Sequence, residues 1–287
     1  MTPLPIQSVE VNGWIAYDHP DPPADQDGNI WVWETISGWF GNLPVRGASI
    51  DRPMMDGAYD GPAPFGGRTI EVGGTLVAPT RAALQHGLDK LAGVLARNIR
   101  RAQFTVDEGV VGLIREASVR LGGPTMIERT GPISATWSLS LFAADPLRYS
   151  QQSHSYGLYP ATEGQGRVYD LIHDRHYGPI GSSGRARIWN AGNASVAPVI
   201  TFIGPSTNPR LRIIDGDKIQ LAMDIPDGKR VIVDCYSRTI TMDGVSKRQY
   251  MTPDSRWLQF WYGATDIYYD TDAGNGLCNV AWKDAWI

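Results

Sequence analysis

One stretch of this chain repeats with a helical period, and nearly everything else that is periodic repeats every two residues. The stretch is "TRAALQHGLDKLAGVLAR", residues 80–97, in which Leu84, Leu88, Leu91 and Leu95 fall at i, i+4, i+7 and i+11. That spacing lays four leucines along one face of an α-helix, and Thr80 stands where an N-cap is wanted. Arg97, Arg100 and Arg101 follow at the C-terminal end, where cations suit the helix dipole. Elsewhere, 32 glycines and 20 prolines cut the 287 residues into short segments. A chain so divided is mainly β with one helix.

The segments before the helix read as strands and loops. "VNGWIAY" and "IWVWETISGWF" are aromatic and β-branched, with an acidic, proline-rich loop between them. Residues 51–67, "DRPMMDGAYDGPAPFGG", hold too much Pro and Gly for a regular element, yet carry Met54, Met55, Tyr59 and Phe65. A long loop bearing large apolar groups folds back on its own core or packs on another chain. These four residues are therefore candidate interface residues. "RTIEVGGTLVA" resumes a strand, with Gly73-Gly74 expected to form a bulge.

After the helix come "AQFTVDEG", "VVGLIREASVRLGG" and "ISATWSLSLFAAD", all with period two. In the last, Trp137, Leu139 and Leu141 alternate with Thr136, Ser138 and Ser140, so one face is buried. Asp145-Pro146 ends it, because proline offers no N–H to a ladder. Residues 149–184 are polar, glycine-rich and without clear period, and read as a connector with room for a strand near Tyr156. From residue 185 onward, short strands alternate with turns. Asp215-Gly216, Asp227-Gly228 and Asp243-Gly244 are hairpin signals. Such spacing predicts a jelly-roll β-sandwich. The expected division is 1–148, a connector 149–184, and 185–287; the length fits two domains, with one as the alternative.

Composition excludes several classes. A net charge of −4 with scattered Lys and Arg argues against a nucleic-acid partner. No apolar run reaches the ~18 residues of a membrane span, and "MTPLPIQSVE" has no signal-peptide pattern. Cys235 and Cys278 form neither a disulfide framework nor a metal motif and read as small buried residues.

Several features taken together resemble a known family: "GRTIEVGGTLVAPTRAALQHGLDKL", the strand end "ADPLRY", "NAGNASVAPVITFIGPSTNPRLRI", "VIVDCYSRTITMDG" and the closing "AWKDAW". Their order is similar to that of the distal tail proteins of long, non-contractile-tailed bacteriophages and the related minor tail proteins of phages infecting actinobacteria. The motifs are structural. Where family members often read Pro-Gly-x-Asn before the last strand pair, this chain reads Tyr262-Gly263-Ala264-Thr265-Asp266. The resemblance implies an N-terminal barrel-like ring domain with one packed helix, and a C-terminal sandwich of galectin or carbohydrate-binding-module type. It implies a ring of six copies in the virion tail tip, assembled in the host cytoplasm, joining tail tube to baseplate around a channel for the genome. The implied partners are the tail tube protein, the tape measure protein, the tail-tip hub, other minor tail proteins and a host surface glycan.

Catalytic and metal readings are weaker. His173, Asp174 and His176 in "HDRH" lack a third ligand, and Asp215, Asp217, Asp224 and Asp227 lack the graded spacing of an EF-hand loop. No phosphate-cradling glycine loop and no Gly-x-Ser-x-Gly elbow occurs. No cofactor, metal or enzymatic activity is expected. "WLQFWYG" is the sharpest aromatic cluster: alternation sets Trp257, Gln259 and Trp261 on one face and Leu258, Phe260 and Tyr262 on the other. Trp257, Trp261 and Tyr262 are thus candidates for a sugar-binding or docking face. The alternative functions are a carbohydrate-binding adhesin and, third, a glycan hydrolase.

Overall fold

The structure, a computed structural model, describes residues 7–47, 49–95, 101–109, 113–161 and 183–287. The candidate metal residues His173, Asp174 and His176 lie outside them, as do Arg97 and Arg100. The chain divides into two compact units, residues 1–151 with Ile287, and residues 152–286.

The first unit contains β1 (Gln7–Val11), β2 (Trp14–Asp18), β3 (Ile30–Ser37), β4 (Ile50–Asp51), β5 (Ala58–Tyr59) and β6 (Arg68–Val77). The helix α1 (Arg81–Gly93) follows, then β7 (Ala102–Asp107), β8 (Ile114–Leu121), β9 (Met126–Arg129) and β10 (Ser134–Ala143). Seven strands run β8-β7-β1-β2-β3-β6-β10, and β10 returns to β8 through Leu141↔Leu121 and Ala143↔Val119. The sheet is therefore a closed barrel. Every neighbour is antiparallel except β2 and β3, which are parallel and meet at Tyr17↔Val32.

Side-chain alternation fills this barrel. Val9, Val11, Trp14, Ile70, Val72, Phe104, Val106, Trp137, Leu139 and Leu141 form one buried cluster. Trp14 sits edge-on to Trp31 and Trp137, with ring centroids 5.4 and 4.8 Å away. The helix adds Leu84, Leu88 and Leu91 to the same cluster. Thr80 Oγ1 accepts from Ala83 N at 3.1 Å, as an N-cap should, and Asn12 Nδ2 donates to Val94 O at 2.9 Å at the far end. Gly87, costly in a helix interior, lets α1 approach: a Cβ there would stand 3.0–3.3 Å from Leu76, Asn29 and Trp31.

The sequence expectation of a bulge at Gly73-Gly74 falls on the wrong strand. Both glycines continue β6, and the register shift lies opposite, between Trp33 and Thr35 of β3. Gly74 is required because a Cβ there would meet Val32 O at 2.0 Å. The chain ends β10 at Ala143, before Asp145-Pro146, as expected. Arg68 fixes that corner, donating from Nε to Pro146 O at 2.8 Å and from Nη1 to Gly38 O and Trp39 O at 2.7 and 2.9 Å. Strand β9 was not anticipated: its four residues have no strong alternation, and it pairs only with β10.

Next comes β11 (Arg148–Leu158), an extended strand inside the segment read as connector. The second unit continues with β12 (Arg185–Asn190), β13 (Val199–Ile203), β14 (Ser206–Thr207), β15 (Arg210–Ile213), β16 (Lys218–Gln220), β17 (Asp224–Ile225) and β18 (Arg230–Asp234). It ends with β19 (Thr239–Met242), β20 (Val245–Ser246), β21 (Gly263–Asp270) and β22 (Cys278–Trp286). One sheet here has the order β20-β19-β18-β13-β22-β11 and another β12-β21-β15-β16. Their inner rows meet as a sandwich, with Phe202 of β13 stacked on Tyr269 of β21 at 5.9 Å. Burial pushes the Tyr269 hydroxyl and the Cys235 thiol each up to about 12, and raises the Cys278 thiol as well. Both cysteines are free and buried.

The three Asp-Gly signals divide. Asp215-Gly216 joins β15 to β16 and Asp243-Gly244 joins β19 to β20, as paired hairpins. Asp227-Gly228 joins β17, which pairs with β14, to β18, which pairs with β13, so it turns between sheets. The local signal reports a turn; only the hydrophobic pattern of distant strands decides the pairing.

Candidate assembly surfaces

The 51–67 region, expected to be irregular, is a narrow antiparallel ribbon. It starts where Gly66 N donates to Pro44 O at 2.6 Å and Arg46 N to Pro64 O at 2.8 Å, with a bridge between Val45 and Phe65. It continues through Ile50↔Tyr59 and Asp51↔Ala58 to a tip closed by Arg52 N donating to Gly57 O at 3.0 Å. Strands of two residues are all that Pro and Gly permit, and they cannot bury a face by themselves. The side chains accordingly point into solvent. Met54, in the left-handed region at φ 59°, is wholly exposed; Met55 and Tyr59 are 71% and 61% exposed, and Phe65 is 44% exposed. Val45 and Ile50 join them on the exposed surface. The four candidate interface residues therefore share one arm, on which Met54, Met55 and Tyr59 are mostly exposed. Arg52 lies over the Tyr59 ring at 5.3 Å.

The aromatic cluster of the second unit is arranged differently from the expectation. Residues 257–262 are not a strand; Phe260 makes only an isolated bridge to Val196. Alternation still holds over part of it, with Leu258 and Phe260 fully buried and Trp261 57% exposed. Tyr262 breaks the pattern and is 68% exposed, because Gly263 follows at φ 85° and turns the backbone. Trp257 is half-buried, its ring beneath the guanidinium of Arg248 at 5.5 Å.

One exposed row was not singled out from the sequence, although its signal is present. In "RARIWN" of β12, Arg185, Arg187 and Trp189 alternate with buried Ala186, Ile188 and Asn190. Antiparallel pairing sets Arg187 opposite Asp266 and Trp189 opposite Ala264. Arg187 grips Asp266 with Nε to Oδ1 at 2.9 Å and Nη2 to Oδ2 at 3.0 Å, and Arg185 Nη2 adds a bond at 2.8 Å. These hydrogen bonds, Arg187's first, hold the Asp266 carboxyl at about 2.

A cleft of about 310 Å³ lies beside the barrel, lined by Trp14, Tyr17, Asp25, Trp31 and Lys90. Burial raises the Asp25 carboxyl, but hydrogen bonds from Trp31 Nε1 and the N–H groups of Asn29 and Asp27 outweigh it and bring the carboxyl below its usual value. That carboxylate is occupied in holding the loop. Among the described residues no group of three His, Cys, Asp or Glu is placed to hold a metal ion. Among the described residues no helix is long and apolar enough to cross a membrane.

Comparison with known proteins agrees with this architecture. Residues 191–286 match the sequence profile of the siphovirus-type tail component, C-terminal domain. The whole chain superposes on the crystal structure of the Dit protein of phage SPP1, described as a paradigm of the hub adsorption apparatus in phages infecting Gram-positive bacteria. The TM-score is 0.69 at 13% identity, over 98% of this chain and 99% of that one. The baseplate of phage P2 in its activated conformation with calcium aligns at a TM-score of 0.47 and 7% identity, over 96% of this chain and 97% of that one. No curated protein matches by sequence.

Proposed function

We propose that this chain is a distal tail protein of the siphovirus type, a reading supported by the match of residues 191–286 to the siphovirus-type tail component, and that its copies close into a ring through the barrel unit. The observation that carries this reading is the exposed arm. Met54, Met55, Tyr59 and Phe65 stand on a ribbon that cannot shield them. Apolar groups held in this way gain about 25 cal/mol per Å² when another surface covers them. An arm on one side of a protomer and its receiving surface on another make a head-to-tail contact. Such contacts generate a ring when the rotation between copies closes, and an open filament when it does not.

The ring has six copies, encloses a channel wide enough for the genome, and joins the last tail-tube ring to the tip or baseplate. On this reading its neighbours are the tail tube protein, the tape measure protein and the tail-tip hub. The sandwich, residues 185–287, serves as a docking platform. The protein works by shape and multiplicity, with no catalytic step; weak contacts repeated around a ring give strong attachment. Assembly takes place in the host cytoplasm, and the finished protein resides in the virion.

Electron microscopy of the purified full chain, with mass photometry across a concentration range, tests the ring. Closed rings of one size are expected. A monomer at every concentration, together with normal incorporation of an arm variant such as Met54→Asp/Tyr59→Asp into particles, would overturn it. A second reading, contact between the sandwich and a host glycan, is supported by the exposure of Trp261 and Tyr262.

A further inference from the structure

The outer face of the β12-β21-β15-β16 sheet combines two features. The first is an uncovered indole. Trp189 is 61% exposed on the edge strand β12, and its cross-strand neighbour is Ala264, too small to cover it. The ring is nevertheless firmly based, since its backbone carbonyl accepts from Trp282 Nε1 at 3.1 Å. The second is an excess of guanidinium groups. Arg185, Arg187 and Arg212 surround Tyr268 and Asp266, and Asp266 is the only carboxylate among the described residues that pairs with any of the three. Arg185 and Arg212 lie 5.6 and 5.9 Å from the Tyr268 ring centroid. Arg212 makes no ion pair among the described residues.

The geometry fixes what this face can hold. Arg187 and Trp189 are two residues apart on one strand and point the same way, a separation of roughly 7 Å. Arg212 lies two strands across, roughly 10 Å from the β12 row. A flat apolar ring beside planar donors suits a ligand that is itself a ring with an attached anion. The grip of Arg187 on Asp266 shows which anion fits the fork: a carboxylate, taken by two parallel N–H bonds. Stacking alone would accept any sugar, and charge alone would accept any acid.

We propose that this face binds an acidic saccharide chain, with one sugar ring stacked on Trp189 and a carboxylate held by Arg212, while Arg187 stays on Asp266 and adds positive charge beside the chain. The site is distinct from Trp257, Trp261 and Tyr262 and does not depend on the ring, since every residue lies within one unit of one copy. Its failure would leave the ring assembly untouched, and failure of the ring would leave this site intact.

The test uses the full chain, with tetragalacturonate as the probe in isothermal titration calorimetry. The controls are the fully methyl-esterified tetramer, which keeps the rings and loses the charge, and tetraglutamate, which keeps the charge and loses the rings. Binding of tetragalacturonate is expected to exceed both by at least tenfold. Trp189→Ala should weaken it at least tenfold, and Arg212→Ala should remove most of the preference over the ester. Arg187→Ala leaves Arg185 on Asp266, so the sheet keeps its ion pair. Thermal melts of Trp189→Ala and Arg212→Ala should stay close to wild type, because both side chains are exposed, whereas Arg187→Ala, which removes two hydrogen bonds to Asp266, should melt lower. Equal binding of the ester, equal binding of tetraglutamate, wild-type affinity in Trp189→Ala, or no binding of tetragalacturonate at millimolar concentration would each overturn the proposal.

Discussion

The two units handle their polar groups and their apolar surface in opposite ways. In the sandwich, buried polar side chains find partners: Asn190 donates to Ala194 O, Asp266 takes two arginines, and Asp284 accepts from Ala191 N and contacts His154. In the barrel unit, the indole N–H groups of Trp14, Trp33, Trp39 and Trp137 and parts of Arg68 and Arg148 are buried without a hydrogen-bond partner among the described residues. Burial, with Arg68 and Arg115 close by, pulls the Arg148 guanidinium down to about 10, and Glu108 offsets only part of this. Each unmatched buried donor costs about 1–3 kcal/mol. The barrel unit also carries the apolar arm. Its arm stands to gain from apolar cover, while the sandwich's exposed face, around Trp189 and Arg212, is suited to a polar ligand.

If that contrast is right, perturbing the arm has the largest consequence. Met54→Asp/Tyr59→Asp should abolish the oligomer, seen as monomer mass by light scattering, while circular dichroism of the fold is unchanged. In the wild type, the barrel's melting temperature should rise with protein concentration, since contacts that exist only in the folded ring stabilise it by mass action. A concentration-independent melt in a ring-forming protein would break the comparison.

The next effect is internal. Trp137→Ala removes the ring packed edge-on to Trp14 and should cost about 3–5 kcal/mol in the barrel's urea transition. The sandwich, followed by the amide resonances of β13 and β22, should keep its midpoint. A single shared shift would show that the units unfold as one. Smaller again, Thr80→Ala should cost about 1 kcal/mol through the lost cap on Ala83 N, confined to the barrel.

The smallest effect belongs to the sandwich. Because Asp266 is held at about 2 in the fold, its contribution is complete above the unfolded value near 4 and is lost as pH falls through about 2. Melting temperature against pH should therefore slope downward between about pH 4 and 2, and Asp266→Asn should flatten that slope. The arginines are exposed and screened, so the change is modest.

Much of this architecture could be read from residue patterns. The helix was legible because four leucines share one face and Thr80 precedes them. The end of β10 was legible because proline cannot continue a ladder. The arm residues were legible as apolar groups stranded among Pro and Gly, though not as a ribbon: its pairing comes from bonds such as Gly66 to Pro44, which no side-chain pattern announces. The bulge was misplaced because Gly73-Gly74 marks a close backbone approach, while the extra residue sits on the partner strand. Alternation grouped Tyr262 with Leu258 and Phe260, which are buried, because it assumes a strand; Gly263 ends that assumption one residue later and leaves Tyr262 exposed. The Trp189 row had a clean alternation and was passed over in favour of the denser "WLQFWYG" cluster.

The closure of the barrel also sets an order of events during synthesis. Val9 of β1 pairs with Val106 of β7, about one hundred residues later in the chain. At roughly 5–20 residues per second, β1 leaves the ribosome about 5–20 seconds before its partner exists. For that time the β1–β2 hairpin can pack on β3 through Trp14 and Trp31, but the β7 side of β1 stays unpaired. Joining ends so far apart is slow as well, because loop-closure entropy must be overcome before any contact rewards it. The nascent chain therefore carries an open sheet edge until its seventh strand is made.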